Sequence, residues 1–210
     1  MAAILFDLDG VIIDTEGAYT LFWDSIEKIY PTGISDFAHA IKGTNLNKIL
    51  SNYDSEDVRN DIVNRLDLFE ADMDFPVYDA ITDFLDSLSD AGIRRALVTS
   101  SADSKMAQVY QKLPWLRSRF DVIVTGSMVT HSKPDPEGYL KAARLLDEDP
   151  SRCVVAEDSI QGLQAGRAAG AKVIGLTTTN SREDVEPLAD EVIDSWTGYS
   201  VERLLALLES

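Results

Sequence analysis

Short runs of β-branched and other apolar residues recur along the chain, separated by longer stretches of helical period, and this alternation restricts the fold more than any other feature. The runs fall at residues 3–6, 95–98, 122–124, 153–156, 173–176 and, with a weaker pattern, 191–193. Several are unbroken Val/Ile/Leu segments without polar alternation, which suits parallel strands covered on both faces. Helical periodicity occupies residues 78–91, 104–112, 136–146, 160–169 and 201–208. Asp135 ahead of Pro136 reads as an N-cap with proline in the first helical position, and Gly92 and Gly170 stand where helices need a C-terminal cap. Strand and helix in strict alternation predict an α/β fold built on a doubly wound parallel sheet.

One interval breaks the rhythm. From Thr15 to Asp74 there is helical period but no run suited to a buried strand. Leu21, Phe22, Ile26 and Ile29 are read as one helix face, and Ile62, Val63, Leu66 and Phe69 as another. The expectation is therefore an α/β core from residues 1–14 and 76–210, with a helical insertion at 15–75. Because the insertion leaves from the end of the first strand, it should lie over the crevice where doubly wound sheets bind ligands.

The chain has 210 residues, of which 45% are hydrophobic, enough for a buried core that folds alone. Its formal net charge of −17 argues against nucleic acid or an anionic membrane as a partner, since both select basic surfaces. Cys153 is the single cysteine and lies in an apolar run, so no intramolecular disulfide forms. The amino terminus, Met1-Ala2-Ala3-Ile4-Leu5-Phe6, has no basic leader, and a cytoplasmic setting is expected. The compact insertion favours a monomer.

Four strand or loop ends carry chemistry. The first strand delivers Asp7 and Asp9, one residue apart, followed by Gly10. Neighbouring carboxylates repel unless a cation or proton intervenes, which makes the pair a metal-site candidate; the ordinary alternative is an acidic turn. The position of Gly10 excludes an EF-hand loop. The second run ends in Thr99-Ser100-Ser101, whose hydroxyls and backbone N–H groups suit phosphoryl oxygens, although taken alone such residues more often mark a strand end or helix start. Lys133, held between Ser132 and Pro134-Asp135-Pro136, offers a point charge to an anion, although most lysines are simply solvated. The fourth run ends in Glu157-Asp158-Ser159; Asp158 can complete the ligand set of a hard ion such as Mg2+, with Glu157 as a supporting or alternative ligand, unless Asp158 or Ser159 only caps a helix. No His/Cys cluster suits zinc, as His39 and His131 stand far apart in the chain.

Taken in order, these four elements resemble the four motifs of the haloacid dehalogenase-like hydrolases, and the resemblance covers nearly the whole chain. It implies that Asp7 attacks phosphorus and that Asp9 serves as general acid and then general base. It further implies that Asp7, Asp158 and the main-chain carbonyl of Asp9 hold Mg2+, while Thr99, the Ser100 N–H and Lys133 grip the phosphoryl group. An acid at Asp9 points to phosphate monoesters, because the dehalogenases of the family lack one there.

The insertion resembles the small α-helical cap of the phosphoglycolate phosphatase, sugar-phosphatase and β-phosphoglucomutase branch. Where the mutases carry a cap histidine and a cap arginine, this chain has Tyr19 and Leu46. Hydrolysis of a small phosphorylated metabolite is accordingly expected over phosphosugar transfer, with a non-catalytic phosphate-binding protein as the remaining alternative. Tyr19, Trp23, Lys42 and Asn45 are the candidate specificity residues, and Trp23 fits a cap core equally well.

Overall fold

The structure, a computed structural model, describes residues 2–210; Met1 lies outside the described residues. Six parallel strands form one sheet: β1 (Ala3–Phe6), β2 (Arg94–Val98), β3 (Val122–Val124), β4 (Cys153–Glu157), β5 (Lys172–Leu176) and β6 (Glu191–Ile193). Their spatial order is β3-β2-β1-β4-β5-β6. The chain winds outward from β1 to one edge, returns to the centre at β4 and winds to the other edge. Both inner strands, β1 and β4, are buried along their full length, as their unbroken apolar character requires.

Successive side chains of β1 alternate between two cores. Ile4 and Phe6 join a cluster containing Leu85, Leu97, Val154 and Trp196, while Ala3 and Leu5 face Val98, Tyr139, Val155 and Val173. Phe6, Phe84 and Trp196 pack as an aromatic group, with Phe84 and Trp196 stacked at 5.0 Å between centroids. The indole N–H of Trp196 donates to the Val11 carbonyl at 2.9 Å, tying the loop after β1 to the far side of the chain.

The crossover helices are α5 (Ile81–Asp90), α6 (Asp103–Lys112), α7 (Glu137–Leu145), α8 (Ile160–Ala168) and α9 (Arg182–Val185), and α10 (Val201–Glu209) closes the chain. Two boundaries depart from the sequence reading. The first of these helices starts three residues later than expected, because Tyr78 donates its N–H to the Ile12 carbonyl and Ala80 takes a left-handed conformation ahead of the first turn. In α7, Pro136 occupies the cap itself, and the Asp135 carboxylate accepts the Glu137 N–H at 2.9 Å. Gly92 and Gly170 sit at positive φ just past their helices, as expected.

Between β1 and α5 come four helices: α1 (Glu16–Ile29), α2 (Phe37–Ala40), α3 (Leu46–Leu50) and α4 (Glu56–Asp72). They enclose a separate apolar cluster of Phe22, Trp23, Ile26, Phe37, Ile49, Tyr53, Ile62 and Leu66. The buried face of α1 is rotated from the expected one: Leu21 is 73% exposed and Ile29 47%, whereas Trp23 turns inward against Phe22 and Phe37. Aromatic pairing outweighs the aliphatic periodicity here. Among the described residues no helix is long and apolar enough to cross a membrane.

Candidate active site

The site lies where the winding of the sheet reverses, at the carboxyl ends of β1 and β4. The two strands run in register, Phe6 beside Ala156, so Asp7 and Glu157 emerge side by side, and the Asp7 N–H donates to the Ala156 carbonyl at 3.0 Å. Beyond β1 the backbone closes a tight turn, with Ile12 and Ile13 N–H groups both returning to the Leu8 carbonyl. Gly10 is indispensable in that turn: its φ is +75°, and a β-carbon there would lie 1.9 Å from Asp158 Oδ2.

Lys133 reaches into this corner from the loop after β3. Its ammonium is 2.5 Å from Asp7 Oδ1 and 2.5 Å from Glu157 Oε1, and all three side chains are buried. Both oxygens of Glu157 are otherwise occupied. Oε1 also accepts the Tyr139 hydroxyl at 2.7 Å, and Oε2 accepts the N–H groups of Asp158 and Ser159 and the Ser159 hydroxyl. Glu157 therefore holds Lys133 and the β4–α8 turn in place. Ser159 is the N-cap of α8, accepting from the Gly162 N–H, which leaves the Asp158 carboxylate out of the capping role and facing Asp7.

Carboxylate oxygens of Asp7, Glu157 and Asp158 approach within 4.8 Å of one another. Three buried carboxylates beside one buried ammonium leave two negative charges uncompensated, −3 + 1 = −2, which protons or a divalent cation must relieve. The acidities say the same: burial pushes Asp7 up to about 8 despite Lys133, with Glu157 and Asp9 adding to the rise. Burial likewise pushes Asp158 well above the usual carboxylate range, reinforced by Glu157. Burial alone would lower the Lys133 ammonium, but Asp7 and Glu157 together hold it above its ordinary value. An all-oxygen, electron-rich pocket of this kind fits a hard cation such as Mg2+.

Asp9 projects elsewhere. Its carboxylate accepts from the Thr15 hydroxyl, from the Ser101 hydroxyl at 3.2 Å, and from the Lys105 ammonium, 2.6 Å from each oxygen. Thr99 ends β2 in a buried position and accepts the Ser101 N–H at 3.0 Å, while the Ser100 hydroxyl donates to the Gly43 carbonyl at 2.8 Å. That last bond joins the helical segment to the core. Gly43 itself packs so closely that a β-carbon would fall 2.5 Å from Ser159 Oγ.

Between core and helices lies a cavity of about 120 Å³ reached by Asp7, Asp9, Thr99, Ser100 and Asp158. Of the four specificity candidates, Tyr19, Trp23 and Lys42 line it; Asn45 caps α3 by accepting the Lys48 N–H at 2.9 Å and lines a smaller neighbouring pocket with Thr99, Ser100 and Lys133. Trp23 lines the cavity and belongs to the helical core at once. Lys42 pairs with Glu16 at 3.0 Å, and the Tyr19 hydroxyl donates to Glu70 at 2.8 Å. Burial raises both acids, opposed at Glu16 by Lys42 and at Glu70 by Lys105.

Sequence reasoning passed over Glu16, Glu70, Lys105, Tyr139 and the Thr178–Asn180 loop. Signals existed for some. Glu70 continues the Ile62–Leu66 stripe one turn further, placing an acid on an apolar face. Lys105 puts a cation in the first turn of a helix, against the backbone dipole. The Thr178 and Thr179 hydroxyls donate to Gly10 O and Asp158 Oδ2, and they follow a strand end just as Thr99 does. Tyr139 offered no local signal.

Over residues 1–170 the chain matches the profile of a family described as haloacid dehalogenase-like hydrolase. It is 32% identical over 178 residues to Hexitol phosphatase A of Escherichia coli (strain K12), a match covering 82% of this chain and 81% of that protein. With the Bifunctional riboflavin kinase/FMN phosphatase of Arabidopsis thaliana it shares 28% identity over 223 residues, covering 96% of this chain but only 55% of that much longer protein. The crystal structure of CbbY from Rhodobacter sphaeroides in complex with xylulose-(1,5)bisphosphate superposes with a TM-score of 0.79 at 25% identity, covering 97% of this chain and 99% of that one.

Proposed function

The chain belongs to the haloacid dehalogenase-like hydrolases, and on that premise we propose that it is a Mg2+-dependent phosphatase hydrolysing a small phosphomonoester, a sugar phosphate or similar metabolite, through an aspartyl-phosphate on Asp7. The observation that carries the reading is the convergence of Asp7, Lys133 and Asp158 on one buried point at the sheet edge. Hexitol phosphatase A is by its name a hexitol phosphatase, and CbbY is seen in complex with xylulose-(1,5)bisphosphate; both are related to this chain over most of their length, which supports a small phosphorylated metabolite as the substrate.

With Asp7 Oδ1 held by Lys133, Oδ2 is the oxygen offered to phosphorus. Its bond to phosphorus forms as the ester P–O bond breaks, and Asp9 gives a proton to the departing alkoxide. In the second half Asp9 takes a proton from water, the water oxygen bonds to phosphorus and the Asp7–phosphorus bond breaks. Thr99, the Ser100 N–H and Lys133 balance charge on the phosphoryl oxygens. Mg2+, held by Asp7, Asp158 and the Asp9 carbonyl, would supply the divalent charge that lets two anions meet.

The cavity also disfavours phosphosugar transfer. Its two cations, Lys42 and Lys105, are each paired with an acid of the chain itself, so neither is free to clamp a second phosphate. Phosphate release from a panel of phosphorylated metabolites with Mg2+, followed by phosphorus NMR of the products, tests the proposal. Asp7→Asn is expected to cut turnover by about 10⁴-fold or more with an unchanged circular dichroism spectrum. Undiminished turnover in that variant, or isomerised sugar phosphate without free phosphate, would refute it.

A further inference from the structure

Lys105 belongs to none of the four motif elements, yet it is 5% exposed and binds both oxygens of Asp9 at 2.6 Å. Resting on the phosphatase reading, we propose that Lys105 is the positioning residue for Asp9 and that, through Tyr19, it makes the placement of that carboxylate depend on the closed position of the helical cap.

A lysine in the first turn of α6 opposes the helix dipole and loses hydration on burial, so its place there must be compensated by specific contacts. Two are present. The Asp9 carboxylate forms one, and the face of Tyr19, 4.3 Å from the ammonium to the ring centroid, forms the other. The two partners come from different bodies: Asp9 from the turn after β1, Tyr19 from α1 of the cap. Tyr19 is itself fixed by its hydroxyl on Glu70 of α4 and by its edge against Phe69. A connected path therefore runs from α4 through Tyr19 and Lys105 to Asp9. Movement of the cap away from the sheet takes the ring with it and leaves the ammonium, and with it Asp9, without that restraint.

The two chemical halves depend on Asp9 unequally when the leaving group needs no proton. With p-nitrophenyl phosphate, the Asp7–phosphorus bond forms as nitrophenolate leaves unprotonated. The second half still requires Asp9 to accept a proton from the attacking water. Misplacing Asp9 should slow the second half alone.

The test uses the full chain with Mg2+ and p-nitrophenyl phosphate in rapid-mixing and steady-state assays. Lys105→Met is expected to release one p-nitrophenolate per active site in a burst, followed by steady turnover about 30–100-fold below wild type, with KM not raised. General damage to the site would remove the burst as well. Lys105→Arg should recover turnover to within about fivefold. Tyr19→Leu should slow turnover in the wild-type background and have no further effect in Lys105→Met, and it carries the test if Lys105→Met does not fold. Steady turnover of Lys105→Met within threefold of wild type, absence of the burst, or independent additive effects of the two substitutions would overturn the proposal. A wild-type chain releasing neither p-nitrophenolate nor phosphate from any member of the metabolite panel overturns the phosphatase reading, and this inference with it.

Discussion

Two sets of buried acids face each other across the cavity and are built on opposite terms. At the sheet edge, Asp7 and Glu157 share the ammonium of Lys133, and Asp158, which accepts the Thr179 hydroxyl, lies beside them. Toward the cap, each acid has its own partner: Lys105 for Asp9, Lys42 for Glu16 and the Tyr19 hydroxyl for Glu70. The first set carries a surplus of negative charge in a place too dry to screen it. The second carries a smaller one: Lys105 and Lys42 against Asp9, Glu16 and Glu70 leave a single negative charge, −3 + 2 = −1, at Glu70, which the neutral Tyr19 hydroxyl meets with a hydrogen bond. The difference teaches that acidity alone does not mark a cation site; what matters is whether the chain has already supplied the counter-charge.

The contrast can be broken hardest at Lys133. Lys133→Met leaves three buried carboxylates with no cation, and a loss of about 3–5 kcal/mol in urea-unfolding stability is expected without Mg2+. A loss below 1 kcal/mol would mean that Lys133 is not the counter-charge on which Asp7 and Glu157 depend.

The next largest effect concerns the metal. Mg2+ at one hundred times its Kd should stabilise the protein by about 2.7 kcal/mol in thermal unfolding. Asp158→Asn should abolish that gain, and Glu70→Gln on the cap side should keep it. In EDTA the sign of the pH response follows from Asp7. Its acidity in the fold is raised from the ordinary carboxylate value to about 8, so the folded protein holds a proton that the unfolded chain has lost. The Asp7 contribution to stability in EDTA is therefore fully present below the unfolded value and is lost as pH rises toward 8. Saturating Mg2+ should flatten the decline, and a stability that instead increases with pH over this window would contradict the surplus of negative charge.

The smallest effect separates structure from specificity within the cap. Asn45→Ala removes the α3 cap and should cost about 1 kcal/mol of stability while leaving kcat and KM on the best phosphomonoester within twofold. A KM change of tenfold would show that Asn45 acts on substrate through the pocket it shares with Thr99, Ser100 and Lys133.

How much of this was legible depends on distance along the chain. All six strands stand within a residue of their expected bounds, since a run buried on both faces leaves no choice but unbroken apolar residues. Asp7, Thr99 and Asp158 were legible for the same reason: each follows a strand directly, so strand order brings them to one edge. Lys133 came from its proline-flanked loop. By contrast, Leu21 and Ile29 satisfy the period of α1 yet face outward, because the choice of buried face was made by Trp23 packing on Phe37, fourteen residues away.

What the sequence determined by itself is the sheet, its winding and the delivery of acids to its carboxyl edge, because local periodicity and strand-end position are properties of short segments. Only the tertiary structure decided which acids would be neutralised. Asp9 and Lys105 are separated by 96 positions and Tyr19 and Glu70 by 51. Electrostatic balance in a dry site depends on distances of a few ångströms, and no short segment contains them.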